Sequence, residues 1–374
     1  MYQPTGRQFP HLAFFWPALA AASASEIAGS FAAQFIGLTG ATEFAAAHEP
    51  DWATPSTIAL ELKTMRLRDF STTRHGVPTL LCAPYALHGA GVVDLAPGHS
   101  LVGALRARGL SHLYVTHWRS ADAAMRLLTI DDYLAELNVA VDHLGGRADL
   151  IGLCQGGWLS LLYAARFPAK VGKLVLAGAP IDIAAAPSGL STITDNTPLS
   201  LFGDLVRLGG GRVLGQAVQK FWMPEAVTDE MVQNVLQTRE PVDSEAFADL
   251  AECFRAWHEY TVDLPGPYYL EVIEKLYKGN ALAAGTFTAL GQRIDLSAVQ
   301  TPLYLLAAQD DELIAPDQLL ATRDLIGTPR QNIHAETVEG GHLGLFLSAR
   351  NLATVWPRVA HWLAGGERAA VLRH

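Results

Sequence analysis

A cysteine set among glycines, in the stretch Gly152-Leu153-Cys154-Gln155-Gly156-Gly157, has the spacing of a nucleophile at a sharp turn. The apolar run from Ala148 to Leu153 is typical of a buried strand, and a helical pattern follows the glycines. In such a strand-turn-helix, the turn lifts its central side chain above the end of a parallel sheet, and the helix N-terminus favours a thiolate. The pattern therefore predicts that Cys154 is a nucleophile, whereas an isolated cysteine is more often a core residue.

A cysteine nucleophile needs a base and a group that orients the base. Asp310 and Asp311 follow a predicted strand, residues 302–308, and His342 lies between glycines after a second predicted strand, residues 332–338. The order nucleophile, acid, histidine is that of the α/β-hydrolases. We expect His342 to be the base and Asp311 its orienter, with Asp310 as the alternative. Either aspartate could instead cap the next helix.

Acyl transfer at Cys154 would create an oxyanion, which backbone N–H groups must stabilise. One donor is expected to be the amide of Gln155, directly after the nucleophile. The second is expected in the loop after the early strand, residues 77–83, where Tyr85 and Ala86 are the candidates. This loop could also be an ordinary turn.

The elements that would position these groups alternate along the chain. Predicted strands cover residues 57–70, 77–83, 112–117, 148–153, 173–177, 302–308 and 332–338, and predicted helices cover residues 100–108, 130–144, 157–166, 316–326 and 351–363. This alternation predicts an α/β protein with a mostly parallel sheet covered by helices on both faces. Between residues 182 and 293 it stops, and helical stretches and turns without a convincing strand replace it.

We therefore predict a helical cap inserted into one α/β-hydrolase core. The expected divisions are an N-terminal helical segment (residues 1–50), the first part of the core (51–181), the cap (182–295) and the second part of the core (296–374).

The first segment contains an uncharged apolar stretch, Leu12 to Ser25, which has features of a signal peptide. Pro17 interrupts it and Glu26 ends it, so it is too short for a membrane span. We interpret Phe14 to Phe35 as an apolar helix face that packs on the main body or docks the protein on an apolar partner surface.

Composition restricts the partners of the chain. With 374 residues, 50% of them hydrophobic, it can bury a large core. A formal net charge of −10 without clustered Lys and Arg argues against nucleic-acid binding. Three cysteines without metal-ligand spacing indicate neither a disulfide framework nor a zinc site. We expect a cytoplasmic protein that needs no metal and no organic cofactor.

The stretch from Gly152 to Gly157 resembles the lipase-like box of the polyhydroxyalkanoate synthases, in which cysteine replaces serine. The resemblance covers Thr57 to Leu363. Three further segments resemble that family in the same order: Val92-Val93-Asp94-Leu95 with Ser100-Leu101-Val102, Thr116-His117-Trp118-Arg119, and Leu128-Thr129-Ile130-Asp131-Asp132-Tyr133. The resemblance implies an α/β-hydrolase fold with Cys154 as nucleophile, Asp311 as orienter and His342 as base.

Intracellular polyhydroxyalkanoate depolymerases, which also use a cysteine triad, belong to the same superfamily. Glu312 follows Asp311 where the synthases usually have histidine. Two cap segments, 257–260 and 268–271, and the histidine loop, 342–346, also resemble depolymerases, whereas Gly156-Gly157 is more like the synthases. On balance we expect a depolymerase that hydrolyses polyester through an acyl-cysteine intermediate.

Two alternatives stay open: a polyhydroxyalkanoate synthase that polymerises 3-hydroxyacyl-coenzyme A, and a non-catalytic granule-associated protein. The expected partner is the polyester or the granule surface, or 3-hydroxyacyl-coenzyme A if the protein is a synthase. Assembly into a homo-oligomer is a further possibility. We expect Trp158, Trp257 and Tyr268 to contact the substrate, although packing in the protein core would explain such aromatic residues equally well.

Overall fold

The computed structural model describes residues 48–222 and 227–365, with the side chains of residues 220–222 left out. Apart from its last three residues, the predicted N-terminal segment, with the apolar face Phe14 to Phe35, lies outside the described residues. Its packing and docking roles stay predictions.

An eight-stranded sheet occupies the centre of the fold. Its strands are β1 (Thr57–Glu61), β2 (Met65–Asp69), β3 (Thr79–Cys82), β4 (Leu113–Trp118), β5 (Ala148–Leu153), β6 (Val171–Ala177), β7 (Leu303–Ala308) and β8 (Ile333–Val338). The order across the sheet is β1-β2-β4-β3-β5-β6-β7-β8. Strand β2 is antiparallel to both its neighbours, and all other pairs are parallel. This confirms the predicted α/β class.

Helices flank the sheet. They are α1 (Leu101–Arg106), α2 (Ile130–His143), α3 (Gln155–Arg166), α4 (Gly189–Asn196), α5 (Leu199–Leu208), α6 (Gly215–Trp222), α7 (Asp229–Leu236), α8 (Glu245–Glu259), α9 (Gly266–Glu271), a π-helix (Val272–Lys278), α10 (Pro316–Leu320), α11 (Thr322–Leu325), α12 (Gly344–Leu347), α13 (Ala349–Thr354) and α14 (Trp356–Leu363). Strands β3, β4, β5 and β7 are buried along their whole length, as expected for strands covered on both faces.

The predicted strand 57–70 is a hairpin of two strands rather than one continuous strand. Leu62 N–H donates to the carbonyl of Met65 across the turn, at 2.8 Å. The N–H and hydroxyl of Thr64 donate to the carboxylate of Glu136, at 2.7 and 2.5 Å. Leu62 and Met65 are three residues apart, so the apolar alternation changes phase at this turn, and the prediction of one continuous strand is wrong there.

Two predicted helices are also divided. Residues 316–326 form α10 and α11, and residues 351–363 belong to α13 and α14. Pro357 stands in the first turn of α14. Since proline lacks an N–H and cannot continue a preceding helix, it accounts for the second division.

Between β6 and β7 the chain leaves the main sheet and forms an inserted segment, residues 178–302. Helices α4 to α9 and the π-helix lie in it. It also contains two ribbons of two-residue strands, 212–213 with 264–265 and 288–289 with 292–293. The prediction that this region lacks strands is wrong for these ribbons, which are too short to show a period. The predicted cap, residues 182–295, falls within the inserted segment, and its status as a separate unit stays a prediction.

Candidate active site

Cys154 lies between β5 and α3 in a strained backbone conformation, with φ of 48° and ψ of −115°. For a residue with a side chain this left-handed conformation costs roughly 1–3 kcal/mol, so the surroundings must impose it. Its N–H donates to the carbonyl of Ala177 on the neighbouring strand, and its carbonyl accepts from Gly157 N–H, both at 2.9 Å. This is the geometry of a nucleophile elbow.

The glycines around Cys154 allow close approach of backbone segments. A Cβ atom on Gly156 would lie 2.2 Å from the carbonyl oxygen of Cys82. A Cβ atom on Gly157 would lie 2.3 Å from the Cβ atom of Ala179. A Cβ atom on Gly152 would lie 2.6 Å from the Cα atom of Gly157. Helix α3 can therefore start directly against β3 and β5 only because these positions lack side chains.

Asp311 and His342 follow β7 and β8 at the same edge of the sheet as Cys154. Asp311 Oδ2 lies 2.7 Å from His342 Nδ1. The other oxygen of Asp311 accepts from the N–H groups of Leu313 and Ile314, at 3.0 and 2.8 Å. Asp310, by contrast, is exposed. The structure thus places Asp311, and not its neighbour, against the histidine.

Cys154 and His342 are both fully buried. Burial alone would lower the pKa of His342. The charges of Asp311 and Cys154, with hydrogen bonds from His342 to both side chains, outweigh burial and raise this pKa well above its ordinary value. The arrangement therefore favours transfer of a proton from the thiol to the imidazole and can generate a thiolate.

The first residue of the loop after β3, Ala83, is fixed by two hydrogen bonds. Ala83 N–H donates to Thr116 Oγ1 at 3.0 Å, and its carbonyl accepts from the Trp118 indole at 2.8 Å. Both partners lie on β4 or at its end. Thr116 and Trp118 belong to a segment that resembles the synthases, but residue type and spacing do not predict this supporting role.

Tyr85 and Ala86 lie in the same loop. The Tyr85 hydroxyl donates to the carbonyl of Asp263 at 3.0 Å and accepts from the Tyr133 hydroxyl at 2.9 Å. These contacts fix the side chain of Tyr85, and with it the loop backbone beside the elbow. The assignment of Gln155 with Tyr85 or Ala86 as oxyanion donors stays a prediction.

The segment Leu128 to Tyr133 joins three parts of the molecule. Asp132 accepts from Thr129 N–H at 2.7 Å and so caps α2. Asp131 accepts from Leu290 N–H of the inserted segment at 2.8 Å. Tyr133 contacts the loop after β3, as described above. The residues that resemble the synthases here are therefore structural supports of the site.

The predicted substrate contacts are buried and have protein partners. Trp158 donates to the side-chain oxygen of Gln155 at 2.7 Å. Trp257 donates to the carbonyl of Gly89 at 3.0 Å. Tyr268 packs among other tyrosine rings. Their role as substrate contacts stays a prediction, because each is at most 2% exposed.

Tyr277 is a candidate that the sequence did not reveal. Its hydroxyl accepts a hydrogen bond of 2.7 Å from the side-chain amide of Gln155, the residue after the nucleophile. It belongs to the π-helix Val272–Lys278, whose wider turn changes the direction of later side chains. Ordinary helical periodicity therefore could not place Tyr277 above the elbow.

The inserted segment covers the nucleophile. A cavity of about 400 Å³ is lined by residues that include Asp94, Cys253 and Trp257, and another of about 790 Å³ is lined by residues that include His99 and Arg239. Neither is lined by Cys154, Asp311 or His342. Cys154 and His342 have no exposed surface, so the nucleophile and its base are covered by the surrounding described residues.

Within residues 48–222 and 227–365, no group of three or more His, Cys, Asp or Glu side chains is arranged to hold a metal ion. In the same part of the chain, no helix has both the length and the apolar character needed to cross a membrane. The expected cytoplasmic location, granule association and homo-oligomer stay predictions.

Fold and site together define an α/β-hydrolase-fold enzyme. Solved structures agree on the fold: a serine hydrolase from Cycloclasticus zankles has a TM-score of 0.50 at 13% identity, over 83% of this chain and 98% of that one. A monoacylglycerol lipase from Paleococcus ferrophilus also has a TM-score of 0.50, at 14% identity over 80% and 98%. More narrowly, the chain belongs to the family described as protein of unknown function DUF3141, which it matches over residues 54–355. This range includes Cys154, Asp311 and His342.

Curated relatives carry the name poly(3-hydroxyalkanoate) polymerase subunit PhaC. The protein of Haloferax mediterranei is 27% identical over 344 residues, which are 83% of this chain and 64% of that protein. The protein of Allochromatium vinosum is 27% identical over 73% of this chain and 76% of its own length, and that of Synechocystis is 28% identical over 73% and 74%. The chain thus spans just under two thirds of the Haloferax protein. These relatives confirm the resemblance to the polyhydroxyalkanoate synthase superfamily.

The same relatives contradict the expected depolymerase, since they are named polymerase subunits. Glu312 was one reason for that expectation. In the structure its carboxylate accepts from the backbone N–H of His342 at 3.3 Å and so supports the histidine loop. This role is compatible with either reaction, so Glu312 does not distinguish hydrolysis from polymer synthesis.

Proposed function

We propose that this protein is an acyltransferase of the polyhydroxyalkanoate synthase type, which transfers 3-hydroxyacyl groups from coenzyme A to a hydroxyl group through Cys154. The observation that carries the proposal is the similarity to polymerase subunits in a chain that holds Cys154, His342 and Asp311 in contact at one sheet edge.

In the first half-reaction His342, oriented by Asp311, takes the thiol proton of Cys154. The thiolate attacks the thioester carbonyl, and backbone N–H groups, including that of Gln155, donate to the oxyanion. A bond forms between the Cys154 sulfur and the acyl carbon, and the bond to the coenzyme A sulfur breaks. Coenzyme A takes the proton from His342 and leaves as a free thiol.

In the second half-reaction the hydroxyl group of a 3-hydroxyacyl chain gives its proton to His342 and attacks the acyl-cysteine. A new ester bond forms, and the sulfur of Cys154 leaves as a thiolate. Because Cys154 and His342 are fully buried, neither water nor an alcohol reaches them in this conformation, and the choice of an alcohol as acceptor rests on the polymerase relatives.

The direct test is incubation with 3-hydroxybutyryl-coenzyme A, with measurement of both free coenzyme A thiol and 3-hydroxybutyrate oligomers or polymer. The wild type is expected to yield both products, and Cys154→Ala neither. Cys253→Ala is the matched control, because this cysteine is exposed and far along the chain from the triad. It should retain wild-type turnover.

Two results would contradict the proposal. Free 3-hydroxybutyrate in the same amount as coenzyme A, without oligomers, would show a thioesterase. Turnover by Cys154→Ala at the wild-type rate would remove Cys154 as the nucleophile.

A further inference from the structure

Asp311 and Glu312, consecutive residues of the turn after β7, contact two different parts of His342. Asp311 Oδ2 lies 2.7 Å from the ring nitrogen Nδ1, and Glu312 Oε2 accepts from the backbone N–H at 3.3 Å. Because the two acidic residues are adjacent in the chain, one turn holds both the ring and the backbone of the histidine. The position of the imidazole therefore depends on Glu312 as well as on Asp311.

The backbone that carries the Glu312 side chain is itself fixed. The carbonyl of Glu312 accepts from the N–H of Gly189, the first residue of α4 in the inserted segment, at 3.3 Å. One residue before the triad aspartate, Asp310 N–H donates to the carbonyl of Gly340 at 3.0 Å. The Glu312 carboxylate thus extends from a turn that is bonded to the histidine loop and to the inserted segment.

Gly341 leaves the space into which the Glu312 carboxylate fits. A Cβ atom on Gly341 would lie 2.8 Å from Glu312 Oε2, whereas the next nearest atom, the carbonyl oxygen of Asp310, would be at an ordinary contact distance of 3.6 Å. The backbone does not require glycine here, because the φ angle of Gly341 is not in the left-handed region, in contrast to that of Gly340, at 111°. The close contact that a side chain at position 341 would make is therefore with the carboxylate.

We propose that Glu312 is a positioning residue for His342, which acts through the hydrogen bond to the histidine backbone, and that position 341 is glycine because this carboxylate needs the space. A hydrogen bond to an ionised carboxylate is stronger than one between neutral groups. The base must lie within hydrogen-bond reach of the group that it deprotonates, and a displacement of about 1 Å can cost roughly 10²-fold in rate. The consequence for acyl transfer rests on the proposed function, whereas the effect on the Cys154 thiolate does not.

The test measures alkylation of Cys154 by iodoacetamide as a function of pH, with mass spectrometry of the peptide that contains it. The background is Cys253→Ala, so that the exposed cysteine does not react. The pH midpoint reports formation of the thiolate, which interacts with protonated His342. Glu312→Ala removes the acceptor and should raise the midpoint by about one unit, because the imidazolium is held less closely to the sulfur. A purely structural contact would lower the temperature of thermal unfolding and leave the midpoint unchanged.

Glu312→Gln is the conservative variant. Its amide oxygen can accept the same hydrogen bond from His342 N–H, but it carries no charge. We expect it to retain the wild-type midpoint. A shift as large as that of Glu312→Ala would assign the effect to charge and would overturn the positioning role of the hydrogen bond.

Gly341→Ala tests the space that the carboxylate occupies. In the presence of Glu312 the added methyl group should displace the carboxylate and raise the midpoint. In the Glu312→Ala background the methyl group has room, so the double variant should show no larger shift than Glu312→Ala alone. Gly344→Ala is the matched control in the same loop, since its Cβ would come no closer than 3.7 Å to its neighbours and should leave the midpoint unchanged.

An unchanged midpoint in folded Glu312→Ala would overturn the proposal, and additive shifts in the double variant would overturn the explanation of Gly341. With 3-hydroxybutyryl-coenzyme A as substrate, Glu312→Ala should release coenzyme A in the first turnover roughly 10- to 100-fold more slowly than the wild type. Absence of coenzyme A release by the wild type would contradict the proposed function and leave the alkylation result intact.

Discussion

The adjacent residues Asp310 and Asp311 have the same side chain but differ in burial and in their hydrogen bonds. Asp311 has a side chain that is 2% exposed and makes three hydrogen bonds, to His342 and to two backbone N–H groups. Asp310 is exposed, and its structural contact is a backbone hydrogen bond from its N–H to the carbonyl of Gly340 at 3.0 Å. A substitution of either side chain therefore has a different expected consequence.

Asp311→Asn should lower acylation of Cys154 by roughly 10³- to 10⁴-fold, as loss of the orienting carboxylate does in comparable triads. The variant removes the charge that raises the pKa of His342, and the amide would favour the wrong tautomer. Release of coenzyme A in the first turnover measures the effect. Asp310→Asn, which keeps its backbone contact, should act as wild type, and equal losses in the two variants would contradict this assignment.

At the scale of elements, the elbow depends on contact between α3 and two strands. Gly156→Ala should destabilise the fold by roughly 1–3 kcal/mol, because its Cβ would overlap the carbonyl oxygens of Cys82 and Ala83, which cannot move without disturbing β3. Gly203→Ala is the control: Gly203 lies within α5 with open space around it. This change should stabilise the protein by about 0.5–1 kcal/mol. The measurement is the urea midpoint of unfolding of each variant. If Gly156→Ala and Gly203→Ala shifted the midpoint in the same direction and by the same amount, the explanation would be wrong.

The central elements could be predicted from the sequence because their physical signals are local. Strands covered on both faces are continuous apolar runs, and β5 and β7 therefore lie within a residue of their predicted bounds. The turn at Leu62 to Thr64 changes the phase of the apolar alternation, but a phase change also fits a bulge within one strand and does not by itself predict a reversal of the chain. The fixing contact comes instead from Glu136, more than seventy residues away.

In the candidate site, too, features with a local sequence signal could be predicted, and features that depend on contacts made by the fold could not. The glycines around Cys154 identify the elbow, since a helix that starts against a strand leaves no room for side chains. The choice between Asp310 and Asp311 depends on which carboxylate faces His342, and the position of Tyr277 depends on a π-helix. Neither can be read from residue spacing. The expected depolymerase is contradicted by relatives named polymerase subunits, and Glu312, one basis of that expectation, supports the histidine loop whatever the acyl acceptor is.

At the scale of the whole molecule, the inserted segment is joined to the loop after β3 by a cluster of contacts. Val262 N–H donates to the carbonyl of Leu87 at 2.9 Å, and the rings of His88 and His258 lie 4.9 Å apart. These contacts hold the inserted segment against the loop that follows β3.

The last prediction concerns the pH dependence of this contact. Burial lowers the pKa of His258 to about 4, and burial with the proximity of His258 lowers the pKa of His88 well below its ordinary value. Both histidines are therefore neutral in the folded protein. Above about pH 6.5 they are neutral in the unfolded chain as well and cause no pH dependence. Below that pH the unfolded chain binds protons that the folded protein does not, so stability decreases as the pH falls toward 4.

Each histidine should contribute a slope of up to about 1.4 kcal/mol per pH unit in this window. His258→Gln, which cannot titrate, should show a shallower loss of unfolding free energy between pH 6.5 and 4.5 than the wild type, measured by urea unfolding. His75→Gln is the control, because this histidine is exposed and should leave the wild-type slope. If His258→Gln lost stability as steeply as the wild type, the buried pair would not govern the acid sensitivity of the folded protein. A shallower slope would instead show that burial of neutral His258 makes the folded protein less stable in mild acid.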